Sequence, residues 1–190
     1  MLALIAAGPT EPPEGQAAYL ERCLAGIAAG DRTALAALYE QTHAAVYGFA
    51  LSILKNRQDA EDILHDAYLQ IWKAAGSYRS EGKPLAWIFT ITRNLSLMQL
   101  REQSRTVAVP PEEWQSLFAG VPAVSGEDRL VLAAVLGGLS DEERQIVMLH
   151  AMTGLKHREI AEILGLKLAT VLSKYQRALK KLRLALKEAG

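Results

Sequence analysis

The chain has 190 residues, enough for one domain or two small ones with a real core, and half of it is hydrophobic with few aromatics. Lys and Arg balance Asp and Glu at 21 each, so net charge alone argues against a nucleic-acid partner and only the distribution of charge can reverse that. The single cysteine, Cys23, excludes a disulfide framework and a cysteine-based zinc site and fits a reducing, cytoplasmic setting. Four scattered histidines offer no metal pattern, and no cofactor is expected.

The Ala/Leu-rich composition, with β-branched residues dispersed, predicts an all-α protein. Residues 1–15 begin with an apolar run that lacks a basic flank and stops at Gly8-Pro9, so they read as a mobile tail rather than a signal sequence. No segment has the apolar length to span a bilayer, and no membrane insertion is expected. From Asp31 to Arg105 the chain reads as helices, with Leu35, Leu38, Tyr39, Val46, Phe49, Ala50 and Ile53 at helical spacing. A break at Lys55-Asn56-Arg57 precedes a helix over 58–75 that runs out at Gly76. A polar stretch, 77–83, then leads to Pro84, well placed to open a helix reaching Arg105.

Residues 106–126 hold Pro110-Pro111, Gly120 and Pro122 without periodicity. A gap of about 20 residues is long for a loop within one domain. The reading is therefore a domain over 16–105, a flexible linker over 106–126 and a second domain over 127–190. Trp114, Leu117 and Phe118 fit a short amphipathic turn inside the linker. The second domain opens with a helix over 128–137, followed by a capping box at Ser140-Asp141-Glu142-Glu143 and a helix that ends at Gly154. Two more helices, 156–164 and 168–187, are separated only by Gly165-Leu166-Lys167.

Those last two helices form a helix-turn-helix candidate. Ile160, Leu164, Leu166 and Val171 supply its interior, and Gly165 permits the tight turn. In the final helix Leu168, Val171, Leu172, Tyr175, Ala178, Leu179, Leu182, Ala185 and Leu186 make the expected buried stripe. Thr170, Ser173, Lys174, Arg177, Lys180 and Lys181 recur on the opposite face. Polar side chains at the front of such a helix suit base edges, and lysines behind them suit phosphates. A solvated lysine face gives the same pattern. The charge distribution bears on the choice: residues 129–190 carry 11 basic and 6 acidic side chains, whereas residues 1–105 carry 10 and 11. Overall neutrality thus conceals a cationic end.

The run GLSDEERQIVMLHAMTGLKHREIAEILGLKLATVLSKYQRALKKLR, residues 138–183, resembles region 4 of bacterial sigma factors, which reads the −35 promoter element. The resemblance implies that Ser173, Gln176 and Arg177 read bases while Thr170 and Lys174 meet the backbone; Lys180 and Lys181, behind them on the same face, suit phosphates by their position alone. The chain departs from the family pattern at Lys167 and Ala169, and carries Leu172 where many relatives have Arg or Lys. The run NRQDAEDILHDAYLQIWKAAGSYRSEGKPLAWIFTITRNLSLMQLRE, residues 56–102, resembles sigma region 2. On a helix Asp59, Asp62 and Asp66 fall within about 60° of one another, opposite an apolar stripe. A solvated face has that pattern too. The family likeness implies instead that Asp59, Asp62, Asp66, Leu69 and Trp72 dock on the β′ clamp helices of RNA polymerase.

By the same likeness Tyr78, Arg79, Arg93 and Asn94 handle the −10 element, where an unstacked base must be captured. Trp87 reads as a core aromatic, and Thr90 replaces a commonly basic residue. Two halves in this order, with a gap too short for a further domain, resemble the extracytoplasmic-function sigma factors, the smallest class. That likeness implies core polymerase (β′ clamp helices and β flap), promoter DNA and an anti-sigma factor as partners. No arrangement for general acid–base or nucleophilic chemistry is present in the sequence, so an enzyme is not expected. The alternatives are a helix-turn-helix regulator that acts without polymerase docking, and a protein-interaction module.

Overall fold

The computed structural model describes residues 15–103 and 136–188. The tail, the 106–126 linker with its Trp114 segment, and most of the helix expected over 128–137 lie outside them. Every regular element among the described residues is helical.

α1 (Gln16–Ala28) buries Leu20, Cys23, Leu24 and Ile27, one stripe at spacings of three and four. A Cβ on its Gly26 would lie 2.8 Å from the Ala34 Cβ, so only glycine allows the next helix this close. Asp31 caps that helix, α2 (Arg32–Leu54), accepting from the Thr33 N–H at 2.8 Å. α2 is buried on nearly all sides from Gly48 to Leu54, which marks it as the central helix of the fold. It ends at Lys55, held in the left-handed region at φ 55. Asn56 then caps α3 (Arg57–Ala74), its side chain accepting from the Asp59 N–H at 3.0 Å. A 3-10 turn at Ala75–Ser77 and an irregular stretch lead to α4, Pro84–Gln103. Inside α4 the buried hydroxyls of Thr92 and Ser96 donate to carbonyls one turn back, so neither is left unpaired.

In the second unit the capping box at Ser140 forms as read, with Glu143 accepting from the Ser140 N–H at 2.9 Å, and starts α5 (Asp141–Thr153). Gly154 and Gly165, both at positive φ, close α5 and α6 (His157–Leu164). α7 (Leu168–Glu188) follows at once. Only part of its expected apolar stripe is buried. Val171, Ala178 and Leu182 are inside, but Leu168 and Leu172 are each 43 % exposed. These two lie off the side of α7 that meets α5 and α6, which corrects the sequence expectation for both.

The two units share a core. Phe49, Ile88 and Phe89 of the first belong to the same buried cluster as Ile146, Leu149 and Ile160 of the second. A second cluster joins Leu51 and Ile63 to Leu139, Met148 and Ala178. Lys55 adds an ion pair to Asp141 at 2.7 Å. α2 therefore packs on α5, and α4 on α6. Among the described residues no helix is long and apolar enough to cross a membrane.

Candidate nucleic-acid and partner interfaces

Three surfaces carry the residues singled out in the sequence. The first is a stripe along α3 at steps of three and four. Asp59, at the N-terminal end, is half-buried against α4 and accepts from the Gln99 side chain at 3.0 Å. Asp62 and Asp66 are exposed, Leu69 is 54 % exposed, and Trp72 is half-buried. Leu69 and Trp72 form one wall of an apolar groove of about 440 Å³ between α2 and α3, with Leu35, Tyr39 and Tyr68 opposite or beneath them. Tyr68 is fixed by a 2.6 Å hydrogen bond with the Thr42 hydroxyl, and burial pushes its phenol well above the usual range. Tyr39 stacks on His43 and tilts on Tyr68, keeping the groove aromatic-lined. An exposed acidic row beside an apolar groove suits a basic, amphipathic helical partner.

The second surface lies between the 3-10 turn and α4. The Tyr78 ring packs on Trp87 at 5.2 Å between centroids, and its hydroxyl donates to Glu21 of α1 at 3.1 Å. Glu21 also accepts from the Gly82 N–H at 2.8 Å, which holds its carboxyl below the usual range. Burial first, then the bond to Glu21, pushes the Tyr78 phenol up to about 12. Tyr78, Arg79, Lys83, Trp87 and Thr90 line a cavity of about 400 Å³ with Glu162 and Ile163 of α6. Arg93 and Asn94 are outside that lining. Asn94 is exposed one turn along α4, whereas the half-buried Arg93 donates from Nη2 to the Leu164 carbonyl at 3.1 Å. Trp87, read as a core aromatic, is half-buried and forms part of the cavity wall.

The third surface is α7. Ser173, Gln176, Arg177, Lys180 and Lys181 are exposed, and Thr170 is half-buried. Lys174 pairs with Glu142 at 2.6 Å and Lys181 with Glu143 at 2.7 Å, so both also brace α7 against α5. Glu143 is 4 % exposed; burial raises its pKa, but Lys181 and the cap at Ser140 outweigh that and hold it low. Behind α7, His150, His157 and Tyr175 make a three-ring cluster with centroids 4.3 to 4.8 Å apart. Among the described residues no His, Cys, Asp and Glu cluster could hold a metal ion.

Residues 38–106 match the family Sigma-70 region 2, and residues 129–182 match Sigma-70, region 4. The ECF RNA polymerase sigma factor SigK of Mycobacterium ulcerans is 30 % identical over 90 % of this chain and 95 % of its own length. The chain belongs to the extracytoplasmic-function sigma factors. It is an alternative RNA polymerase sigma factor. SigK of Mycobacterium tuberculosis strain H37Ra is 29 % identical over 92 % of this sigma factor and 96 % of its own length. Two solved structures share the fold. CnrH, solved with the cytosolic domain of CnrY, covers 90 % of this sigma factor and 99 % of its own chain, at TM-score 0.63 and 24 % identity. RpoE of Bartonella quintana, solved with the anti-sigma factor NepR, covers 78 % and 94 % at TM-score 0.61 and 24 % identity.

Two residues of the second surface escaped the sequence reading of this sigma factor. Glu21 sits outside both quoted runs, and nothing local ties an acid on α1 to a tyrosine 57 positions later. Lys83 was legible only as the last residue of a polar stretch before Pro84. Its place on the cavity wall depends on α4 and α6 meeting.

Proposed function

We propose that this sigma factor binds bacterial core RNA polymerase with its first unit, captures the −10 strand there, and reads the −35 duplex with its second. Residues 16–105 and 127–190 are the two working domains, joined through 106–126. The β′ clamp helices meet the exposed stripe of Asp62, Asp66 and Leu69, with Trp72 and Asp59 at its two ends; the β flap meets the second domain. Tyr78 gives a flipped base a stacking face, Arg79 and Arg93 give cations to the strand, and Asn94 gives an amide able to donate and accept. On α7, Ser173, Gln176 and Arg177 address base edges, while Thr170, Lys174, Lys180 and Lys181 address phosphates.

One observation carries the reading. Regions 2 and 4 occur in order, and each presents to solvent the charge its partner needs: acids on α3, cations on α7. Binding energy does the work, so the protein needs no catalytic group, and the chemistry belongs to the polymerase. It acts in the cytoplasm. The complex of its fold relative RpoE with an anti-sigma factor supports an inhibitor of that class for this chain as well.

The test is run-off transcription with core polymerase and a library of promoter fragments, comparing the wild type with Asp62→Arg and Arg177→Ala. Initiation should require the protein, fail with Asp62→Arg and weaken with Arg177→Ala. Tight sequence-specific binding to duplex DNA without any binding to core polymerase would make the chain an ordinary helix-turn-helix regulator instead.

A further inference from the structure

Leu168 and Leu172 lie in the first two turns of α7, and each is 43 % exposed. With the exposed Gln176 they stand at steps of four, one ridge that spans about 80° of the helix. Lys167, Arg177, Lys180 and Arg183 are exposed around this ridge, and residues 167–184 contain no acid. A surface this cationic fits a polyanion, and the apolar group that duplex DNA offers in its major groove is the thymine methyl. Neither leucine can donate to or accept from a base edge. Each gains by covering a methyl and loses by covering a polar edge that is left without a partner. The support beneath them is fixed: Val171, Ala178 and Leu182 are buried, and the ion pairs of Lys174 and Lys181 hold α7 to α5.

We propose that Leu172, with Leu168 beside it, is a specificity-determining residue of the −35 contact: it covers a thymine methyl and so selects a thymine–adenine pair where it lands. This rests on the −35 reading above and adds a base identity to it. Gln176, next on the ridge, keeps its amide for a neighbouring base edge, so apolar and hydrogen-bonded readout run along one line of the helix. The methyl can be removed by itself, because deoxyuridine has the hydrogen-bonding edge of thymidine and lacks only that group. Loss of one covered methyl should weaken binding by about two- to five-fold.

The test uses holoenzyme assembled from core polymerase and the full chain. Promoters are first selected by initiation from a library randomised in the −35 element. Each −35 thymine is then replaced singly by deoxyuridine, and promoter occupancy is measured at limiting holoenzyme. With the wild type, at least one replacement should weaken occupancy by about two- to five-fold, and with Leu172→Ala that same replacement should change nothing. Selection with Leu172→Arg should move the preference at that pair to guanine, which arginine contacts through O6 and N7. A selected element without thymine, wild-type occupancy indifferent to every replacement, an effect that persists in Leu172→Ala, or thymine retained by Leu172→Arg would each overturn the proposal. Wild-type indifference together with an equal loss by Leu172→Ala on both DNAs would make the leucines a protein contact instead. The two levels of failure are distinguishable. Absence of initiation with core polymerase removes the sigma-factor reading and this proposal together. Initiation that weakens with Arg177→Ala but ignores deoxyuridine leaves that reading standing and removes the leucine contact alone.

Discussion

Arg144→Ala is expected to destabilise the fold by about 2–4 kcal/mol. The Arg144 side chain is 5 % exposed and donates to two buried backbone carbonyls, Leu136 from Nε and Leu139 from Nη2, both at 2.8 Å. A third bond reaches Asp141 at 3.2 Å. Burial alone would lower the guanidinium pKa, and Asp141 counteracts it. Alanine leaves both carbonyls without this donor, at about 1–3 kcal/mol for each one left unpaired, and Leu139 carries the larger share because the Leu136 carbonyl still accepts from the Leu139 N–H at 3.3 Å. The sum is trimmed because Asp141 is 54 % exposed and water can reach the emptied space from that side. For a chain of this size 1 kcal/mol corresponds to roughly 2–4 °C in Tm, so the expected drop is about 4–16 °C. Arg144→Lys keeps the charge but loses the planar fork that serves two carbonyls at once, and should fall between alanine and wild type. Melting followed by circular dichroism, with urea titration to check that the m-value is unchanged, measures both variants. A drop below about 2 °C for alanine, or a lysine variant as stable as wild type, would refute the reasoning that these carbonyls depend on Arg144.

Three further outcomes follow from the geometry. Burial, then the neighbouring His150, depresses the pKa of His157. The unfolded chain therefore binds more protons than the folded one below about pH 6.5, and the stability contributed by the neutral ring is complete above that pH and lost as pH falls toward the depressed value. The wild-type Tm should accordingly fall more steeply than that of His157→Asn between about pH 7 and pH 5.5, and parallel curves would mean the folded ring is solvated. Tyr68→Phe removes the buried bond to Thr42, which still donates to Leu38 at 2.7 Å; the cost in urea denaturation should be about 1 kcal/mol, and no change would make that bond energetically neutral. Glu21→Ala takes the acceptor from the Gly82 N–H and the Tyr78 hydroxyl. The Tyr78 phenol should titrate below its present value of about 12 by tyrosine-selective NMR, and open-complex formation should drop about three- to ten-fold. A full complement of open complexes would show that the loop does not need Glu21.

What the sequence by itself determined is what short-range chemistry determines. The capping box at Ser140, the break at Lys55-Asn56 and the glycines at 154 and 165 act through hydrogen bonds and dihedral limits within a few residues, so the second and third helices, the helix-turn-helix and the all-α class were all legible. α1 was not, because it starts at Gly15 (φ 107) with no side-chain cap to announce it. The family, too, was written in two local runs. The surfaces were legible only in part, since periodicity says which residues share a face but not what that face meets. Asp59 belongs to the acidic stripe by spacing, yet Gln99, 40 positions away, half-buries it. Lys174 and Lys181 look like phosphate contacts in the sequence, yet the first turn of α5 pairs both. Leu172 fits an apolar stripe, yet it is 43 % exposed. Only the tertiary structure brings Glu21 to Tyr78 and α6 to Lys83 and Arg93, contacts 57 to 79 positions apart along the chain. Such contacts are fixed by how helices of compatible shape fill a shared core, and no local pattern encodes which distant polar groups that packing carries together.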